Sequence, residues 1–372
     1  MNRAVYEAIS TLIGVMIGAG IFGIPYVFAK AGFLTGLTTL FIIGTAMTLI
    51  NLYLGEVVLR TKGNHQLTGY ASIYLGRTGK LLMTASMIFG IYGALIAYII
   101  GEGESLNAIF PINTMFYSVV FFLFMAVLVY YGLRAIKESE LLMSGIKLVI
   151  FLIIFVALFF SNNLRAENLT EFSLTDIFIP FGVVLFAFLA TAAVPEMKEE
   201  LGKNKKYLKK AIITSSLIAL VVYALFALVI VGISGQETTE VATVGLSHLL
   251  GQKIHILLNL FAVFAMATAF LGLGLALKEM YVYDFKLNNK LAWFLTCSVP
   301  ISLFLLGVRG FIKTIAITGA VSGGLAGVLI VLMAAKAKSI GSRKPEYIMP
   351  VNNIITFALA VIFLLAIVYS II

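Results

Sequence analysis

The sequence predicts an all-α integral membrane protein, a single domain of eleven transmembrane helices over residues 1–372. Composition is the first reason. Of 372 residues 61% are hydrophobic and 12% charged, with a mean hydropathy of +1.06. A soluble chain covers its surface with roughly a quarter charged residues, so most of this exterior must face hydrocarbon. The second reason is a row of apolar stretches near the ~20 residues that cross about 30 Å of lipid as a helix, with none of the short alternating segments of a β-barrel. The third is the placement of the basic residues. With the N-terminus cytoplasmic, 20 of the 26 Lys and Arg fall on the inner side and five on the outer, the bias expected of a multi-pass protein of the cell membrane.

The stretches follow in order. Residues 8–29 come after a short, weakly charged N-terminus with no small-residue cleavage pattern, so a retained helix is expected. Residues 31–55, 81–101 and 105–133 are uncharged, and 141–160 is interrupted once, by Lys147. Then come 177–195, 211–236, 254–277, 291–308 and 314–335, with 347–372 as an extra helix that leaves the C-terminus outside. Spans one to five (8–160) and six to ten (177–335) are blocks of similar length and odd helix number, so the second must be inverted relative to the first. Such inverted repeats recur in secondary transporters, with the site at the first helix of each half.

Several functions fall away. The single Cys297 cannot close an intramolecular disulfide, and His65, His248 and His255 lie too far apart in sequence to suggest a metal cluster. No nucleophile–base pair, phosphate loop or cofactor motif is visible, so neither an enzyme nor a cofactor is expected. The net charge of +9 reads as topology and attraction to anionic membrane lipid rather than to nucleic acid. Acidic residues gather outside, Glu102 and Glu104 among them.

The first helix of each half is a poor regular helix. Span one reads GVMIGAGIFGIPY, with Gly14, Gly18, Gly20, Gly23 and Pro25; span six reads FGVVLFAFLATAAVPEM, with Gly182, Ala187, Ala190, Ala192, Ala193 and Pro195. Glycine costs about 1 kcal/mol against alanine within a helix, and proline removes a backbone hydrogen bond. Close packing through small residues is one explanation. A discontinuous helix in each half, lining a cavity, is the explanation that the matching positions favour. A break at Gly18-Ala19-Gly20 would offer amides to a carboxylate and carbonyls to an ammonium, and so suit a zwitterion.

These strings, with AYIIGEGESL at 97–106, AAVPEMKEELGKNKKYLKKAI at 192–212 and ATAFLGLGLALKEM at 267–280, resemble the amino acid–polyamine–organocation superfamily. Within it the chain resembles the amino acid/auxin permease and aromatic amino acid permease families. The resemblance implies a LeuT-like fold of five plus five inverted helices, import of amino acids and alternating access. It also implies that Ile17, Gly18, Ala19 and Gly20 hold the α-amino and carboxylate groups, with Phe186, Ala187 and Phe188 beside them. Tyr92 and Tyr98 are candidates for an aromatic-lined pocket. Glu56 and Glu279 fall at cytoplasmic helix ends and are expected in solvent, so with no buried acid a neutral substrate, aromatic or aliphatic, is favoured.

Lys147 is the one charge left inside a span. A lysine at a span centre costs roughly 2.5–3.5 kcal/mol, so it either faces a cavity or snorkels to the interface. Resemblance favours the cavity, because several transporters of the superfamily place a span-five lysine where relatives bind sodium, its ammonium against span-one carbonyls and a span-eight hydroxyl. Span eight offers Ala265, Thr268 and Ala269 where sodium-coupled relatives present a carbonyl and two hydroxyls, so one hydroxyl is missing. Lys147 is therefore expected to be a proton carrier, or a fixed substitute for sodium, and the proton rather than sodium the coupling ion. Sodium symport, exchange, uniport and a non-transporting amino acid sensor stay open, as does the oligomeric state.

Overall fold

A computed structural model describes residues 3–132, 135–161, 163–248, 252–283 and 285–350, together with 361 and 363. Thirteen α-helices are described. The first predicted span is split into α1 (Arg3–Met16) and α2 (Gly20–Ala31), followed by α3 (Phe33–Arg60), α4 (Leu67–Ile109), α5 (Thr114–Tyr131) and α6 (Ala135–Phe159). The sixth is split into α7 (Phe181–Phe188) and α8 (Ala193–Leu201), followed by α9 (Leu208–Ser234), α10 (Gln252–Tyr283) and α11 (Asn289–Leu305). The tenth runs through α12 (Phe311–Thr318), a π-helical turn (Gly319–Gly323) and α13 (Gly324–Ile340). No strand occurs among the described residues.

Six of these helical stretches are long and apolar enough to cross a membrane, seven when the bent pair α1 and α2 counts as one; the apolar parts of α6 and α11 are shorter. Each predicted stretch up to 335 thus carries helix. Most of the eleventh, 347–372, lies outside the described residues. Tyr347 to Pro350 are not helical and lie along α3, where the Tyr347 hydroxyl donates to the Leu52 carbonyl at 2.7 Å and the Tyr53 hydroxyl to that of Pro350 at 2.8 Å.

The split helices sit at the centre. α1 packs on α6, α8 and α9; α7 packs on α2, α3, α12 and the π turn; α4 runs past α5, α10, α11, α12 and α13. Asn113 caps α5 by accepting from the Phe116 amide at 3.1 Å, and Gly132 ends it in the left-handed region with φ 63°, as helix termini require.

The charges differ from expectation in three places. Residues 101–105 are not a loop between spans: α4 continues to Ile109, and Glu102 is 0% exposed within it. The two glycines there serve contact, since a Cβ on Gly101 would meet the Met266 sulfur and one on Gly103 the Ser118 hydroxyl and the Thr114 carbonyl. Glu56 is buried rather than solvated, paired with Arg60 at 2.7 Å and accepting from the Met349 amide at 2.7 Å. Lys147 is not alone either. Lys278 is buried on α10 and donates to the Val129 and Tyr130 carbonyls at 2.8 and 2.9 Å, which answers the negative end of α5.

Candidate functional site

Both split helices open where small residues cluster. Residues 17–19 are non-helical, and α1 and α2 meet at 53°. The Gly18 amide reaches only to the Met16 carbonyl (2.9 Å) and the Phe22 amide to that of Ala19 (3.1 Å). The amides that begin α2 have no intrahelical acceptor, as at any helix start. α2 then continues through Pro25. Between α7 and α8, residues 189–192 are non-helical, with Leu189 N to Phe186 O at 3.1 Å and Ala190 N to Phe188 O at 2.9 Å. Pro195 falls in the first turn of α8, where proline removes no helical bond.

Tyr223 of α9 holds the two breaks together. Its hydroxyl lies 2.6 Å from the Met16 carbonyl and 2.8 Å from that of Ala187, one proton shared between the carbonyls that the breaks release. The sequence hides this residue, because a tyrosine in an apolar helix looks like packing. The signal was indirect: two opened helices need a buried donor nearby.

A cavity of ≈ 280 Å³ lies between the breaks. Gly18, Ala19 and Gly20 line it from one break and Leu189, Thr191, Ala192 and Ala193 from the other. Its side-chain walls include Ile91, Ala94 and Tyr98 of α4, Phe186 of α7, Thr268 and Ala269 of α10, and Lys147 of α6. It extends to the exposed Gln66, Glu279 and Tyr283, on the side where α1 begins. Most of the lining is apolar; Lys147, Glu196, Thr191, Thr268, Ser86 and Ser322 add polar side chains to the main-chain groups of the breaks.

Of the residues expected at the site, Gly18, Ala19, Gly20, Phe186, Lys147 and Thr268 come together on this cavity. Ile17 contributes its carbonyl to Lys147 instead. Ala187 contributes its carbonyl to Tyr223, and Phe188 packs edge-on against the Tyr223 ring at 5.2 Å. Tyr92 lies elsewhere: its hydroxyl pairs with that of Tyr281 at 2.8 Å and donates to the Leu295 carbonyl at 3.0 Å, tying α4 to α10 and α11. Ala265 is 0% exposed, and its carbonyl accepts from Thr268 at 3.0 Å.

Lys147 is 3% exposed. Its ammonium turns to α1, 3.5 Å from the Gly14 carbonyl and 3.4 Å from the Ile17 carbonyl. Those distances are long for hydrogen bonds and describe ion–dipole contact with the C-terminal end of α1, where the helix dipole is negative. Ser144, one turn earlier, donates to the Ser10 carbonyl at 3.2 Å and fixes α6 against α1.

Comparisons with known proteins bear on the family and the fold. A model of the tryptophan/tyrosine permease family matches residues 1–371. Glutamine transporter 2 of Aliivibrio fischeri is 25% identical over 350 residues, 90% of this chain and 87% of that protein. Tyrosine-specific transport system 1 of Haemophilus influenzae is 25% identical over 376 residues, 93% of this chain and 91% of that protein. Among solved structures, MhsT in complex with L-phenylalanine, a LeuT-fold transporter, matches with a TM-score of 0.69 at 14% identity over 100% of this chain and 98% of its own.

Proposed function

The chain belongs to the tryptophan/tyrosine permease family, a multi-pass membrane transporter and not an enzyme, and on that premise we propose that it imports a neutral amino acid by proton-coupled alternating access. The observation that carries this reading is the cavity between two opened helices, with main-chain groups at its ends and apolar side chains between them. The substrate carboxylate meets the amides that begin α2 at Gly18–Gly20, and its ammonium meets carbonyls freed at residues 189–192. Its side chain rests on Ile91, Tyr98 and Phe186. Two acidic side chains, the half-buried Glu196 of α8 and the exposed Glu279 of α10, line the cavity; the neutral reading rests on the relatives named above, whose names give glutamine and tyrosine, both neutral.

The positive-inside distribution supports a cytoplasmic N-terminus, and with it a cytoplasmic mouth at Gln66, Glu279 and Tyr283. This conformation is then inward-facing. The blocks 8–160 and 177–335 are the two inverted repeats, each beginning with a broken helix. Lys147, against the Gly14 and Ile17 carbonyls, carries the coupling proton. The family match supports the aromatic amino acid permease resemblance; the amino acid/auxin permease resemblance gains nothing from it.

Reconstitution into liposomes tests the reading. Uptake is expected under an inward pH gradient, unaffected by a sodium gradient and competed by neutral L-amino acids. Stimulation by sodium alone would contradict proton coupling, and failure of every amino acid to compete would contradict the substrate class.

A further inference from the structure

Glu102 stands outside the cavity just described. It sits one helical turn beyond Tyr98 on α4, toward the end opposite the mouth, and is 0% exposed. Neither of its carboxyl oxygens has a hydrogen-bond partner; the Ala267 amide of α10 faces the group without closing a bond. Two further orphans share the place. Ser105, three residues on and so on the same face of α4, and Ser118 of α5, packed against Gly103, are both 0% exposed with unpartnered hydroxyls.

Among the described residues no counter-charge faces the group. On α4 the next acidic residue, Glu104, stands near Glu240. α10 presents Met266 and Ala267, and its His255, about three turns away along that helix, is engaged with the Ala108 carbonyl at 3.0 Å. α5 presents Thr114 and Ser118, and α12 presents Phe311. The lysines of α11, α12 and α13 (Lys290, Lys313, Lys336 and Lys338) are exposed. An ionised carboxylate left here would bear a desolvation penalty of several kcal/mol with no counter-ion to offset it. A neutral carboxylic acid fits, and as one donor among three hydroxyl-bearing side chains it needs only small rotations to find an acceptor.

We propose that Glu102, with Ser105 and Ser118, is a proton-binding site separate from Lys147, and that protonation of Glu102 is required for the outer half of α4 to close against α5 and α10. When that half opens, water reaches the carboxyl and it equilibrates with the external solution. Closure then selects the protonated form, because only the neutral group can be buried. The site thus lets external pH gate the inward transition. The transport part of this idea rests on the amino acid reading above, whereas the protonation state does not.

Two measurements on Glu102→Gln test it. The first is infrared spectroscopy of the detergent-solubilised protein at neutral pH, comparing wild type with E102Q. A C=O band of a protonated carboxylic acid should be present in wild type and reduced in E102Q; equal bands in the two would overturn the proposal whatever the substrate proves to be. Glutamine imitates the neutral acid, so E102Q should fold and melt within a few degrees of wild type or above it. A variant that fails to fold would show that the ionised carboxylate is what the fold needs, and would also overturn the proposal. The second is exchange of labelled amino acid in liposomes as external pH rises at fixed internal pH. Wild-type exchange should fall by up to about tenfold per unit above the titration point, and E102Q should stay flat within ~2-fold. A wild-type slope retained in E102Q would refute the gating. Should no amino acid be exchanged at all, the substrate reading fails while the infrared result still decides the proton site.

Discussion

Lys147→Ala is expected to lower pH-gradient-driven uptake at least ~10-fold, about 1.4 kcal/mol in the coupled step, while substrate exchange at equal pH is retained in larger part. The ammonium touches the Gly14 and Ile17 carbonyls, so its loss removes a positive charge from the C-terminal end of α1 next to the break. Lys147→Arg separates two roles that alanine cannot. Arginine keeps the charge and the donors but does not deprotonate at accessible pH. If Lys147 carries the proton, Lys147→Arg loses the pH-driven component as fully as alanine does. If it only replaces sodium as a fixed cation, Lys147→Arg retains it. Unchanged rate and pH dependence in both variants, measured in the same liposomes, would remove Lys147 from coupling altogether.

Gly20→Ala is expected to cost about 1–3 kcal/mol of stability and to abolish transport. A Cβ at Gly20 would stand 2.6 Å from both the Cα and the Cβ of Ala187, backbone and first side-chain carbon of the other split helix. Neither can swing aside, so α2 and α7 must separate. Gly18→Ala is the informative contrast. Its Cβ would meet the Tyr98 hydroxyl at 3.1 Å and the Ala269 Cβ at 3.4 Å, contacts that small side-chain shifts relieve, and it would project into the substrate cavity. Gly18→Ala should therefore keep a near wild-type melting curve and lose substrate affinity, while Gly20→Ala melts several degrees lower. Thermal unfolding alongside binding distinguishes the two.

The two glycines show how far the sequence could be read. The positions of the breaks were legible, because glycine and small residues at the first helix of each block oppose regular helix wherever they occur. Their separate duties were not. Both suggested room for ligand backbone contact, yet Gly20 also answers to Ala187, a residue 167 positions away whose approach only the fold reveals. Lys147 was legible as a cavity residue, since its charge in an apolar stretch had two possible resolutions and the structure turns it toward α1. Tyr92 misled, since aromatic character alone says nothing of direction, and its hydroxyl belongs to the Tyr281 and Leu295 contacts. Glu102 misled in the other direction. Two acids and two glycines in a row resemble a loop, and the packing that holds residues 101–105 in α4 comes from Met266, Thr114 and Ser118 on other helices.

The central claim is that the opened main chain at Gly18–Gly20 and at residues 189–192 holds the two charged ends of an amino acid. It is tested most directly by competition in reconstituted liposomes between the preferred L-amino acid, its methyl ester and its decarboxylated amine. Each analogue leaves buried main-chain groups unpaired, at about 1–3 kcal/mol apiece, so both should compete at least ~10-fold more weakly than the free amino acid. Equal competition by the ester or the amine would contradict the account, because the side chain alone would then be what the protein recognises.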